Sequence, residues 1–192
     1  MNPDLGSATR TLAELVAAVT DEQLALSTPC PAYTVADLLD HVDGVTLAFR
    51  MAAEKTFAPG SPPPEVDASR LGDDWRTRIP ERLAALAEAW RKPDAWEGMT
   101  EAGNVTLPGA VGGRVALNEV VVHGWDIARA IGADYRVDDA TAEACLAFIV
   151  PATADSDPGP DGAFGPPVEV AADAPVLDRL VGANGRDPDW QR

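Results

Sequence analysis

The segment Arg114–Ile131 constrains this chain more than any other, because it must be either a long helix or a buried strand. Its β-branched run Val120, Val121 and Val122 favours a strand when taken alone. The flanks decide otherwise. Ala116, Val120, His123, Ile127 and Ala130 follow steps of four, three, four and three, Ala, Leu and Arg surround the valines, and Gly132 supplies a stop. On that helix Glu119 and His123 stand one turn apart, with Cβ atoms roughly 5–6 Å from each other on one face. On a strand they would be about 13 Å apart at about 3.3 Å per residue, too far to share a ligand.

The rest of the chain reads as helices broken by proline-rich loops. Leu5, Ala8, Leu12, Leu15 and Val19 form the apolar stripe of a first helix. Thr34 and Asp37 make an acidic capping box in front of a second stripe, Val35, Leu38, Val42, Val45 and Phe49, predicting a helix over 35–55. Ala58–Pro64 carries four prolines and is expected to be an exposed connector. Trp75, Ile79, Leu83, Leu86 and Trp90 mark a third helix, with Pro80 either kinking it or sitting in the first turn of its second half. Between Lys92 and Gly109 a loop or small hairpin is expected, able to cover one end of a bundle. A fifth helix should run from an acidic cap at Asp138 to Val150 and stop before Pro151. Beyond it come a loop to Pro167, the short alternating segment Val168–Val170, a small helix around Pro175–Leu180, and the ending GRDPDW.

At 192 residues the chain suits one domain: a helical bundle over 1–150, with 151–192 as a loop and tail packed on it. Its 31 acidic against 15 basic side chains give a formal charge of −16, which repels phosphate backbones and anionic lipid, so neither nucleic acid nor membrane is expected as a partner. The first residues lack the basic and apolar stretches of a secretory signal, and a cytoplasmic location is expected. Two cysteines, Cys30 and Cys145, supply neither a disulfide scaffold nor a Cys-rich zinc site, and both read as small buried residues.

Both histidines, His41 and His123, fall on inward stripes, and Glu119 points inward beside one of them. A buried carboxylate without a partner is costly. A cation held by His41, Glu119 and His123 would satisfy it; an ion pair with Arg114 or Arg129 would do so equally. Asp126 lies three residues after His123 and suits three duties: accepting a hydrogen bond from a ligating imidazole, capping a loop, or pairing with Arg129. Asp37 could hold His41 in the same way, but capping is its simpler duty. Tyr33 and Trp125 either border a cavity or pack, and Gly44 and Gly124 allow close helix approach.

Two stretches, TPCPAYTVADLLDH (28–41) and NEVVVHGWDIARAIG (118–132), resemble the DinB-like, mycothiol-dependent maleylpyruvate isomerase family, and FGPPVEV and GRDPDW look like the tail of its short actinobacterial-type branch. That resemblance implies an all-α, up-and-down four-helix bundle with an additional helix, long loops and a short C-terminal tail. It also implies metal ligation by His41, Glu119 and His123, the trio isolated by spacing. The isomerase that names the group has a further C-terminal domain, which a chain of this length is expected not to contain.

Three protein ligands leave a position open on the ion, as catalytic sites do. A thiol bound there loses its proton well below its free pKa of about 8.5. The expected activity is therefore that of a metal-dependent, thiol-using enzyme acting on a small electrophile, a transferase or isomerase. Zinc is the first choice of metal, with nickel or iron as others, and mycothiol is the thiol that the resemblance implies. Metal-assisted hydrolysis and a non-catalytic binding module are the alternatives. A monomer or homodimer is expected.

Overall fold

The computed structural model describes residues 2–31, 33–56, 66–103, 105–154 and 166–192. The expected connector at Ala58–Pro64 and residues 155–165 of the expected loop lie outside them. Four long helices build the core: α1 (Gly6–Ala18), α2 (Val35–Glu54), α3 (Trp75–Trp90) and, after a one-turn helix α4 (Pro93–Trp96) and a hairpin of β1 (Met99–Ala102) and β2 (Val105–Pro108), α5 (Gly109–Ile131). Helices α6 (Asp139–Ala154) and α7 (Val176–Ala183) follow. The hairpin pairs antiparallel from Met99 with Pro108 to Ala102 with Val105.

This is the expected four-helix bundle of DinB-like type. α1 and α2 each pack against both α3 and α5, so they stand diagonally across the bundle and the segment 19–34 between them crosses it. α6 and α7 pack on each other, and α6 leans on α5. The stripe residues Leu12, Leu38, Ile79, Leu83 and Ile127 are completely or almost completely buried, each contributing about 1.5–3 kcal/mol of transfer free energy. Thr34 accepts from the Asp37 amide while Asp37 accepts from the Thr34 amide, closing the capping box that starts α2. Asp138 caps α6 through the Thr141 amide, at 2.9 Å.

Three boundaries differ from the sequence expectation. α5 begins at Gly109 rather than near Arg114, in spite of glycines that weaken helices by about 1 kcal/mol each. Tertiary packing explains this: a Cβ on Gly113 would lie 2.4 Å from the Trp96 ring and 2.9 Å from the Trp90 ring. Those rings meet edge to face, with centroids 5.1 Å apart, and only a bare backbone lets α5 slide beneath them. Next, α6 continues past Pro151 to Ala154, since a proline removes one backbone donor without forbidding the turn that follows. Third, the hairpin is accompanied by α4, whose Pro93 sits where a first-turn proline is tolerated. Pro80 lies inside an unbroken α3. No helix among the described residues is long and apolar enough to cross a membrane.

Candidate metal centre

α2 and α5 bring the three candidate ligands together across 78 residues of sequence. Glu119 Oε2 lies 3.2 Å from His123 Nε2 and 3.4 Å from His41 Nε2, and one donor atom from each residue falls within 4.8 Å of the others. The imidazoles meet edge to face at 4.8 Å, and the Tyr33 ring stands 5.6 Å from that of His41. His123 is buried, whereas His41 and Glu119 keep about a fifth of their side chains exposed, at 20% and 18%. Arg114 donates instead to the Ala110 carbonyl, and Arg129 to the carbonyls of Pro188 and Trp190.

Behind His123 the arrangement continues. Nδ1 lies 3.0 Å from Oδ2 of Asp126, a carboxylate with no exposed surface. Asp126 is in turn gripped by Arg186, whose Nη2 donates to Oδ2 at 3.0 Å and whose Nε donates to Oδ1 at 3.4 Å. Of the three duties open to Asp126, the imidazole contact is the one observed, and its arginine is Arg186 rather than Arg129. Arg186 was missed because it lies 60 residues from Asp126 and no periodicity connects them. Cys30 also departs from expectation: it is half-buried and within electrostatic reach of Tyr33 and Arg186. Cys145 is buried as expected, and burial pushes its thiol up to about 12. Gly124 makes room for the Tyr135 ring, 2.9 Å from where its Cβ would stand, rather than for a neighbouring helix. Trp125 is buried, with the Arg129 guanidinium 5.6 Å from its ring centroid.

Burial opposes a charge on His123, but hydrogen bonds to Asp126 and Glu119 outweigh it and push the imidazole up to about 9. Burial likewise favours neutral Glu119, yet the hydrogen bonds from His123 and His41 win and hold its carboxyl far below the usual range. The donor chemistry fits a divalent cation. With the His123 Nδ1 proton committed to Asp126, a cation displacing the Nε2 proton would meet that nitrogen beside a carboxylate oxygen and a second imidazole nitrogen. Bonds of about 2.0–2.1 Å to one tetrahedral ion would set neighbouring ligand atoms about 3.3–3.4 Å apart, and the two contacts with Glu119 stand at 3.2 and 3.4 Å.

Residues 5–128 match the family model described as the mycothiol maleylpyruvate isomerase N-terminal domain. The chain belongs to this family. An uncharacterized protein of Mycobacterium tuberculosis, found in two strains, is 28% identical over 175 residues, covering 91% of each chain. The crystal structure of the mycothiol-dependent maleylpyruvate isomerase superposes with a TM-score of 0.56 at 19% identity, and that of a histidine-to-alanine mutant with 0.57. Each match covers 76% of this chain but 65% of the isomerase, under two thirds of its length. At that identity the likeness is one of fold, the helical bundle on which this family member carries its two histidines and glutamate.

Proposed function

We propose that this protein is a metal-dependent enzyme that uses a low-molecular-weight thiol, with mycothiol as the first candidate, against a small electrophile. The observation that carries this reading is the convergence of His41, Glu119 and His123 on one point, in a chain whose family is named for a mycothiol enzyme. His41 and His123 would hold the ion through Nε2 and Glu119 through Oε2, with Asp126 keeping His123 in the tautomer that offers Nε2. A zinc ion held by three such ligands keeps a coordination position open and lowers the pKa of a thiol placed there. Glu119 supplies one negative charge against the dication, leaving a net positive centre that favours a thiolate over a thiol. The residual exposure of His41 and Glu119 would give the thiol its way in, while His123 and Asp126 are buried.

Isothermal calorimetry of mycothiol with zinc-loaded protein, in buffers of different ionisation enthalpy, tests this. Binding should release protons at neutral pH, and the release should vanish in metal-free protein and in His123→Ala. Binding that is absent, or equally strong without metal, overturns the thiol reading. Glu119→Ala should abolish tight zinc binding in a protein that still folds, and an unchanged zinc content in that variant would remove Glu119 from the ligand set.

A further inference from the structure

The segment after α7 is tied to α5 on both sides of the metal centre. The side-chain amide of Asn118, the residue before Glu119, donates to Oδ1 of Asn184 at 2.8 Å. Further along, Arg129 on α5 donates to the carbonyls of Pro188 and Trp190, and Arg192 donates to that of Ala130 at 3.0 Å. Residues 184–192 therefore form a strap along α5. Arg186 is aimed by how α7 ends. Gly185 takes a φ of +79°, its amide donates to the Gly182 carbonyl, and the Arg186 amide donates to that of Val181, both at 2.9 Å. This is a Schellman turn, which requires a residue tolerant of positive φ where Gly185 stands. The turn directs the Arg186 side chain back to α5, and Nη1 steadies it on the Asn184 carbonyl at 2.7 Å.

We propose that Arg186 is a positioning residue for the metal centre: by gripping both oxygens of Asp126 it fixes the carboxylate that orients His123 towards Glu119. The inference rests on the metal reading for its functional consequence, but its geometry stands apart from it. Oδ2 of Asp126 is shared at 3.0 Å by Arg186 Nη2 and His123 Nδ1, so the guanidinium sets the plane of the carboxylate and the carboxylate sets the plane of the imidazole. Asp126 has no exposed surface, so water is not at hand to replace the guanidinium. A lysine would carry the charge without the planar fork that holds two oxygens at once. Metal sites depend on such outlying partners, whose loss costs roughly 10- to 100-fold in affinity.

Zinc dissociation constants from chelator competition, measured on the full chain as wild type, Arg186→Met, Arg186→Lys and Arg192→Met, test the proposal. Arg186→Met should weaken zinc binding by roughly 10- to 100-fold and Arg186→Lys by less. Arg192→Met, which loosens the same strap without touching Asp126, should bind as wild type does. Wild-type affinity in Arg186→Met overturns the proposal, as does an equal loss in Arg192→Met, which would make general docking of the strap the cause. A second reading needs no metal: the downfield NMR resonance of the His123 Nδ1 proton should be sharp in the wild type, broadened or lost in Arg186→Met, and partly restored in Arg186→Lys. If the wild type takes up no zinc, the metal reading falls and this resonance alone decides the role of Arg186. A resonance unchanged in Arg186→Met overturns it.

Discussion

The two ends of α5 meet the same demand, burial against the rest of the bundle, by opposite means. Its first turns discard side chains: Gly109, Gly112 and Gly113 lie flat beneath α4 and the rings of Trp90 and Trp96. From Asn118 onward it turns polar groups inward, and Asn118, His123 and Asp126 are buried with partners drawn from the strap and from one another. The first solution gains dispersion and transfer free energy and places no titratable group there. The second adds little net stability for its burial, since paired charges in a dry site roughly offset their desolvation, but it holds atoms in fixed places. Bare-backbone packing and polar chemistry thus occupy different halves of one helix, whose second half also buries Val120, Val121 and Ile127, and the two devices should fail in different ways.

The sharpest break in that contrast would come from Trp90. Trp90→Ala empties a buried site and removes the indole hydrogen bond to the Phe49 carbonyl, and it should cost about 3–5 kcal/mol in urea unfolding. The folded fraction should keep whatever zinc affinity chelator competition finds for the wild type. A loss below about 1 kcal/mol would mean that the tryptophan end does not carry the stability assigned to it.

Gly113→Ala should give a smaller effect with an instructive sign. A helix gains about 1 kcal/mol when alanine replaces glycine, but the new methyl would meet both tryptophan rings at under 3 Å. Overpacking of this kind costs about 1–3 kcal/mol, so the expected outcome is net destabilisation measured by thermal or urea unfolding. An increase in melting temperature would show that the rings yield easily and that the glycines owe their place to something else.

A third effect belongs to the polar half and depends on pH. In metal-free protein His123 is raised from 6.5 to about 9, so its contribution is complete below pH 6.5 and disappears as pH rises through about 9. Glu119 is depressed, so its contribution is present above its ordinary value of 4.5 and is lost only in strong acid. Urea midpoints should therefore fall between pH 6.5 and 9, and the slope should shrink in Asp126→Asn. A flat profile over that window in the wild type would show that the imidazole is not held charged by its two carboxylates.

Much of this was legible in the sequence where the signal is local. The capping box at Thr34 and Asp37, the stripes of α1, α2 and α3, and the placing of Glu119 and His123 on one helical face all depend on neighbours three or four residues apart. What sequence reading missed depends on distant partners. Propensity argued against a helix at Gly112 and Gly113 because the tryptophans that reward it come from another part of the chain. Asp126 was offered Arg129, one turn away on the same helix, whereas its partner sits beyond a Schellman turn that only the docked α7 brings near.

The same separation along the chain sets an order of assembly during synthesis. His41 leaves the ribosome 78 residues ahead of Glu119, a delay of roughly 4 to 16 s at about 5–20 residues per second. Arg186 emerges 60 residues after Asp126, later than every helix of the bundle. Until then the nascent chain presents His41 alone, then a His123 whose carboxylate has no guanidinium to hold it. The geometry of the centre is therefore complete only when the strap has closed on α5, after the four helices of the bundle have all emerged.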